Sequence, residues 1–118
     1  MTEIGQKLIG IVRARAAENP EFVYERQRTP AGNFGSCRYV LDGQPSCLIG
    51  HALWGAGLID AFFEEHYCNT YPFRTLVHEL GLQQLDDNER KWLMLVQQYQ
   101  DEGRSWGTAV EWTDNGGP

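Results

Sequence analysis

No stretch of this sequence is long and apolar enough to suggest a membrane span. The longest run without a charged side chain, 43–59, mixes Gly, Gln, Ser and His with its apolar residues, whereas a spanning helix needs roughly 20 predominantly apolar residues in succession. Residues 1–20 carry interspersed charges instead of a basic start followed by an apolar core, so no secretory signal is expected there. Cysteine is sparse, at 3 in 118 residues. An odd number, without an export signal, points to reduced thiols and a cytoplasmic location. Positive charge is in deficit, with 10 Lys and Arg against 16 Asp and Glu and a net charge of −6. Such a chain repels phosphate backbones, and direct nucleic-acid binding is not expected. The acids come in pairs, Glu64-Glu65, Asp86-Asp87 and Asp101-Glu102, not in the dense rows that an acidic decoy of DNA would need.

Cofactor signatures are also missing. Gly32-Asn33-Phe34-Gly35 is followed by no helical pattern and no Lys-Ser/Thr pair, so it is no phosphate cradle. No Ser-His-Asp elbow, calcium loop or dinucleotide fingerprint occurs, and no cofactor is expected. Neither a repeat nor a dividing linker interrupts the chain, which reads as a single domain over 1–118 with a short flexible tail at about 113–118.

Against these absences stands an ordinary globular composition, 42% hydrophobic and 22% charged, with four Trp, five Tyr and five Phe to fill a core. Ile4, Leu8, Ile11 and Val12 form one stripe on a 3.6-residue period, predicting a helix over 2–18 that Thr2 caps and Asn19-Pro20 ends. The β-formers of 21–26 and 37–41, separated by the turn-rich 29–36, predict a β-hairpin. Its open edge leaves a homodimer as an alternative. Residues 46–57 contain no charge and predict a buried central helix with Ser46 as its cap and Gly57 as its stop. Further helical stripes run over 58–67, from Pro72 to Leu80, from an Asp86/Glu89 capping box to Gly103, and from Ser105 through Trp106, Ala109, Val110 and Trp112. The expected fold is mainly α (α+β): a compact helical domain around a buried central helix, with one β-hairpin after the first helix.

Three constellations carry candidate chemistry. Cys47 and His51 lie one turn apart on the second helix, with Cys47 in the first turn, where the helix dipole lowers a thiol pKa. This resembles a papain-like nucleophile with Gln44 as an oxyanion donor, but papain-like enzymes bring their histidine from a later strand. The bland reading is a buried thiol and a core histidine. Cys47, His51, His66 and Cys68, with Cys37 and His78 as spares, offer two thiols and two imidazoles to a tetrahedral zinc, although the spacing matches no known zinc knuckle. Asp101 and Glu102 end a helix at the pole that favours cations. Such a break of a local rule marks either a compensating network, with Asp101 paired to Arg104 ahead of Trp106, or a functional surface.

Cys47-Leu48-Ile49-Gly50-His51-Ala52-Leu53 after a hairpin, and Gln97-Gln98-Tyr99-Gln100-Asp101-Glu102-Gly103-Arg104-Ser105-Trp106-Gly107-Thr108-Ala109, together resemble short uncharacterised proteins of actinobacteria and their phages. The Gln-Asp-x-Gly-x-x-Trp-x-x-Ala portion is the more specific half. The resemblance implies no activity; it implies a small accessory protein, of a kind that binds a host factor. With no catalytic set complete, the chain is expected to be a non-enzymatic protein–protein interaction protein with a protein partner. Its candidate binding residues are Tyr24, Arg38, Tyr39, Tyr99, Asp101, Arg104 and Trp106, with Trp112 beside them, since Tyr, Trp and Arg are the usual interface anchors. The alternatives are a thiol enzyme using Cys47 and His51, and a zinc-stabilised module.

Overall fold

The computed structural model describes residues 1–25 and 38–117. It is mainly helical, with one small antiparallel hairpin after the first helix. In chain order come α1 (Glu3–Glu18), β1 (Val40–Leu41), β2 (Gln44–Pro45), α2 (Leu48–Gly55), two 3-10 segments (Ala61–Glu65 and Tyr67–Thr70), α3 (Phe73–Glu79), α4 (Asp87–Asp101) and α5 (Trp106–Asn115). Among the described residues, no helix is long and apolar enough to cross a membrane.

The uncharged helix is the core element. Leu48, Ile49, Gly50, Ala52 and Leu53 of α2 are all buried, because a helix with no polar face has no side to turn to water. α2 packs chiefly on α1, and α4 chiefly on α5. Leu8 and Val12 from α1 and Leu93 and Val96 from α4 complete the same cluster with Leu76 and Val77 from α3.

The hairpin exists, but the expected strand 37–41 pairs with 44–45 that follows it and not with 21–26. Val40 pairs with Pro45 and Leu41 with Gln44, across a turn in which Asp42 and Gly43 both have positive φ, 55° and 76°. An Asp-Gly pair suits that two-residue turn because neither residue is strongly strained there. The Glu64 carboxylate accepts hydrogen bonds from the amides of Asp42 and Gly43, each at 2.9 Å. Among its described residues, the segment expected as the first strand makes one isolated bridge, Val23 to Ser105. The Trp106 and Gly107 amides at the start of α5 donate to the carbonyls of Phe22 and Pro20, so this segment serves α5 instead of a hairpin. The expected loop 29–36 lies outside the described residues.

Three other boundaries shift. α2 starts at Leu48 with Cys47, not Ser46, as its cap residue. The helix expected over 58–67 is two short 3-10 segments. α5 runs to Asn115, through the first residues of the expected tail. Thr113 is buried there, and the Asp114 carboxylate accepts hydrogen bonds from the two terminal guanidinium nitrogens of Arg13, at 2.6 and 2.8 Å, and from the Trp92 indole N–H at 2.9 Å.

Candidate functional site

Cys47 cannot cap α2 with its side chain, so the first amides of that helix need acceptors from elsewhere. α4 supplies them. Gln100 Oε1 accepts from the Leu48 amide at 2.9 Å and from the Trp106 indole at 3.2 Å, while its Nε2 donates to Asp101 Oδ1 at 2.9 Å. Gln97 Oε1 accepts from the Ile49 amide at 3.4 Å, and its Nε2 donates to Cys47 Sγ at 3.2 Å. Two glutamines from one helix thus cap another across the core.

This joint bears on the thiol reading. The Cys47 side chain is 0% exposed and bonded to Gln97. The His51 ring packs edge-on against Trp106, with centroids 5.5 Å apart. Burial pushes the His51 imidazole below its usual range; Arg15 adds to that shift and Glu18 opposes it. A nucleophile needs both access and a base within hydrogen-bond reach, and a sealed thiol lacks the first.

The four proposed zinc ligands do not assemble. Among the described residues, no group of three or more His, Cys, Asp or Glu side chains is placed to hold a metal ion. His66 Nδ1 accepts from the Cys68 amide at 3.0 Å, and its ring is stacked between Phe63 and Tyr67. Cys68 is buried. The spare Cys37 lies outside the described residues.

Several of the aromatics expected at an interface are core residues. Tyr24, Tyr39 and Trp106 are buried. The Tyr24 hydroxyl accepts from the Arg38 amide at 3.1 Å and from Ser46 Oγ at 3.3 Å, and the Tyr39 hydroxyl donates to the Tyr71 carbonyl at 2.7 Å. Arg38 is half-buried. Tyr99 meets Trp112 edge-on at 5.5 Å, and the Arg104 guanidinium lies over the Trp112 ring at 4.8 Å. Asp101 accepts from Gln100, and the turn after α4 is closed by the Arg104 amide on the Tyr99 carbonyl, with Gly103 at φ 92°.

No family model matches the chain, and no curated protein or solved structure matches it either. The two stretches that carry the sequence resemblance are the two halves of the buried joint. Gln100 caps α2, Asp101 holds the Gln100 amide, Gly103 makes the left-handed turn, and Trp106 and Ala109 fill the core. Gln100, Gly103, Trp106 and Ala109 build the fold, and from these stretches an exposed recognition surface can draw on Asp101 and Glu102, which line a surface cleft.

Such a surface lies along the two 3-10 segments. Phe62, Tyr67, Tyr71 and Met94 are exposed, at 88, 58, 42 and 41%. Phe63, His66, Tyr67 and Tyr71 form a continuous aromatic ladder, with successive centroids 4.9, 4.6 and 5.5 Å apart. One end of the ladder borders a hollow of about 630 Å³, lined by residues including Leu58, Asp60, Phe62, Phe63, Glu65 and His66. The other end opens into a cleft of about 370 Å³ between the start of α3 and the end of α4, where Tyr71, Pro72, Phe73 and Met94 meet Asp101 and Glu102. A hydrogen bond to Glu79 pushes the Tyr67 phenol up to about 12. The helical stripe over 58–67 takes in Phe62, Phe63 and His66 but not Tyr67 or Tyr71, and the ladder forms only when the two 3-10 segments fold back on each other.

Proposed function

We propose that this chain is a small, non-enzymatic protein–protein interaction protein of the cytoplasm, and that the aromatic ladder with its two flanking hollows is the face its partner meets. The observation that carries this reading is the exposure of four large apolar side chains, Phe62, Tyr67, Tyr71 and Met94, along one ladder-and-hollow surface. Exposed apolar surface of that kind, rimmed by polar groups, marks sites of association. Aromatic side chains in such a surface are the usual energetic anchors. The resemblance of 47–53 and 97–109 to proteins of actinobacteria and their phages supports a phage-encoded accessory role with a host protein as partner.

A photo-crosslinking side chain at Met94 or Tyr71, introduced in cells, tests the face. The expected result is one discrete adduct from these positions and none from the exposed Gly10 of α1. Equal adducts from all three positions, or none from any, would refute it. The thiol-enzyme alternative has a separate test. Cys47 is expected to resist alkylation at neutral pH until the chain unfolds, as mapped on the Cys47 peptide. Rapid labelling of the native protein would favour the enzyme.

A further inference from the structure

We infer that the partner presents a basic segment with apolar anchors, which lies along the ladder and fills the hollow at each end. This rests on the reading of that face as the binding surface. The charge at both ends has one sign. Asp60 and Glu65 line the hollow beside Phe62, and Asp101 and Glu102 line the cleft beside Met94. No lysine or arginine is among the described residues that line either one. The C-terminal pole of α4 enters the same cleft, and its last turn carries no basic side chain, so the helix dipole adds to the negative potential. Between the charged ends lie Tyr67 and Tyr71, which offer apolar ring surface and cation–π acceptance to the same kind of segment. A lysine or arginine side chain combines both needs, an aliphatic stem for Met94 and Tyr71 and a cation for the acids beyond them. A second copy of this acidic face would bring like charges together, which disfavours self-pairing here.

The test uses the full chain and two labelled synthetic peptides, one alternating lysine with leucine and one alternating glutamate with leucine, read by fluorescence anisotropy. The lysine peptide is expected to bind, with an affinity that falls as salt rises, and the glutamate peptide is expected not to bind. Reversing the exposed Glu65 and Glu102 in the double variant E65K/E102K should weaken the lysine peptide about tenfold, with amide resonances outside this face unchanged. M94A should weaken it without altering the salt dependence. Equal binding of both peptides, no binding of the lysine peptide, or indifference to E65K/E102K would overturn the inference. So would concentration-dependent self-association in sedimentation that M94A abolishes, since the occupant would then be a second copy. A discrete crosslink at Met94 together with a failed peptide experiment would retire the basic partner alone. Loss of the crosslink would retire the face itself.

Discussion

At the scale of single residues, the glutamines of α4 matter more than the cysteine and histidine that first draw the eye. A helix start buried without acceptors leaves unsatisfied amides, each costing as much as a lost hydrogen bond. Gln100 serves the Leu48 amide and the Trp106 indole at once. Gln100→Leu keeps most of the volume and orphans both donors. It is expected to cost about 3 kcal/mol in urea unfolding. Gln98→Leu, an exposed neighbour on the same helix, should stay within about 0.5 kcal/mol of the parent. Comparable losses in the two variants would show that the cap contributes little. Asn69 plays a similar part for the hairpin. Its side chain accepts from the Val40 amide at 2.9 Å and donates to the Val40 carbonyl at 3.0 Å, as a neighbouring strand would. A two-residue strand thereby keeps its outer edge bonded.

At the scale of elements, close approach decides which helices touch. α2 meets the hairpin at Gly50, where an added Cβ would overlap the Tyr39 carbonyl oxygen. That oxygen also accepts the Ser46 amide, so the backbone there has little room to retreat. Gly50→Ala, normally favourable inside a helix, is therefore expected to destabilise by about 2 kcal/mol. Gly10→Ala in α1, with open space around it, should stabilise slightly. Thermal unfolding of the pair checks the contrast, and a stable Gly50→Ala protein would mean that α2 and the hairpin are less tightly seated. The capping box of α4 also reaches beyond its own helix. Glu89 bonds the Asp86 amide and, in addition, the Thr2 amide, the Thr2 hydroxyl and the Gln6 amide group. One carboxylate thus closes the starts of both α4 and α1.

For the whole molecule, that carboxylate sets an acid limit. Burial pushes the Glu89 carboxyl up, but the bonds from Thr2, Gln6 and Asp86 outweigh it and hold it down to about 2, from an ordinary 4.5. Because the folded value lies below the unfolded one, the stabilisation is complete above pH about 4.5 and is lost as pH falls toward 2. Glu89→Gln should be less stable at neutral pH and should lose less than the parent between those limits, as followed by denaturant midpoints. Parallel curves for the two proteins would assign the acid transition to other groups. His51 has the matching sign at higher pH. Its folded pKa lies below 6.5, so an unfolded chain takes up the proton first, and stability contributed by the neutral ring declines as pH drops below that value. The Asp114 carboxylate, held down by Arg13 and Trp92, ties α1, α4 and α5 together at the far end of the bundle and continues α5 into what reads as a tail.

Much of the architecture was legible in the residues alone. Periodicity placed α1, α4 and α5, and the absence of charge in 46–57 marked α2 as the buried helix, because burial is the only stable place for a helix with no polar face. The Asp86/Glu89 spacing declared its own capping box. Strand pairing was harder to read. The turn-rich 29–36 drew attention from Asp42-Gly43, and two-residue strands leave no alternating pattern. The site was least legible, since local pattern does not say which aromatic is buried. Tyr39 and Trp106 lie in the core while Tyr67 and Tyr71 lie outside, although all four have the chemistry of an interface anchor. The sequence by itself determined the helical class, the uncharged core helix and the acidic balance, because those follow from spacing and composition. Only the tertiary structure decided that Cys47 is sealed by Gln97, that Gln100 caps a helix 52 positions away, and that two 3-10 segments fold into an exposed aromatic ladder between acidic hollows, because each depends on contacts between residues distant in the chain.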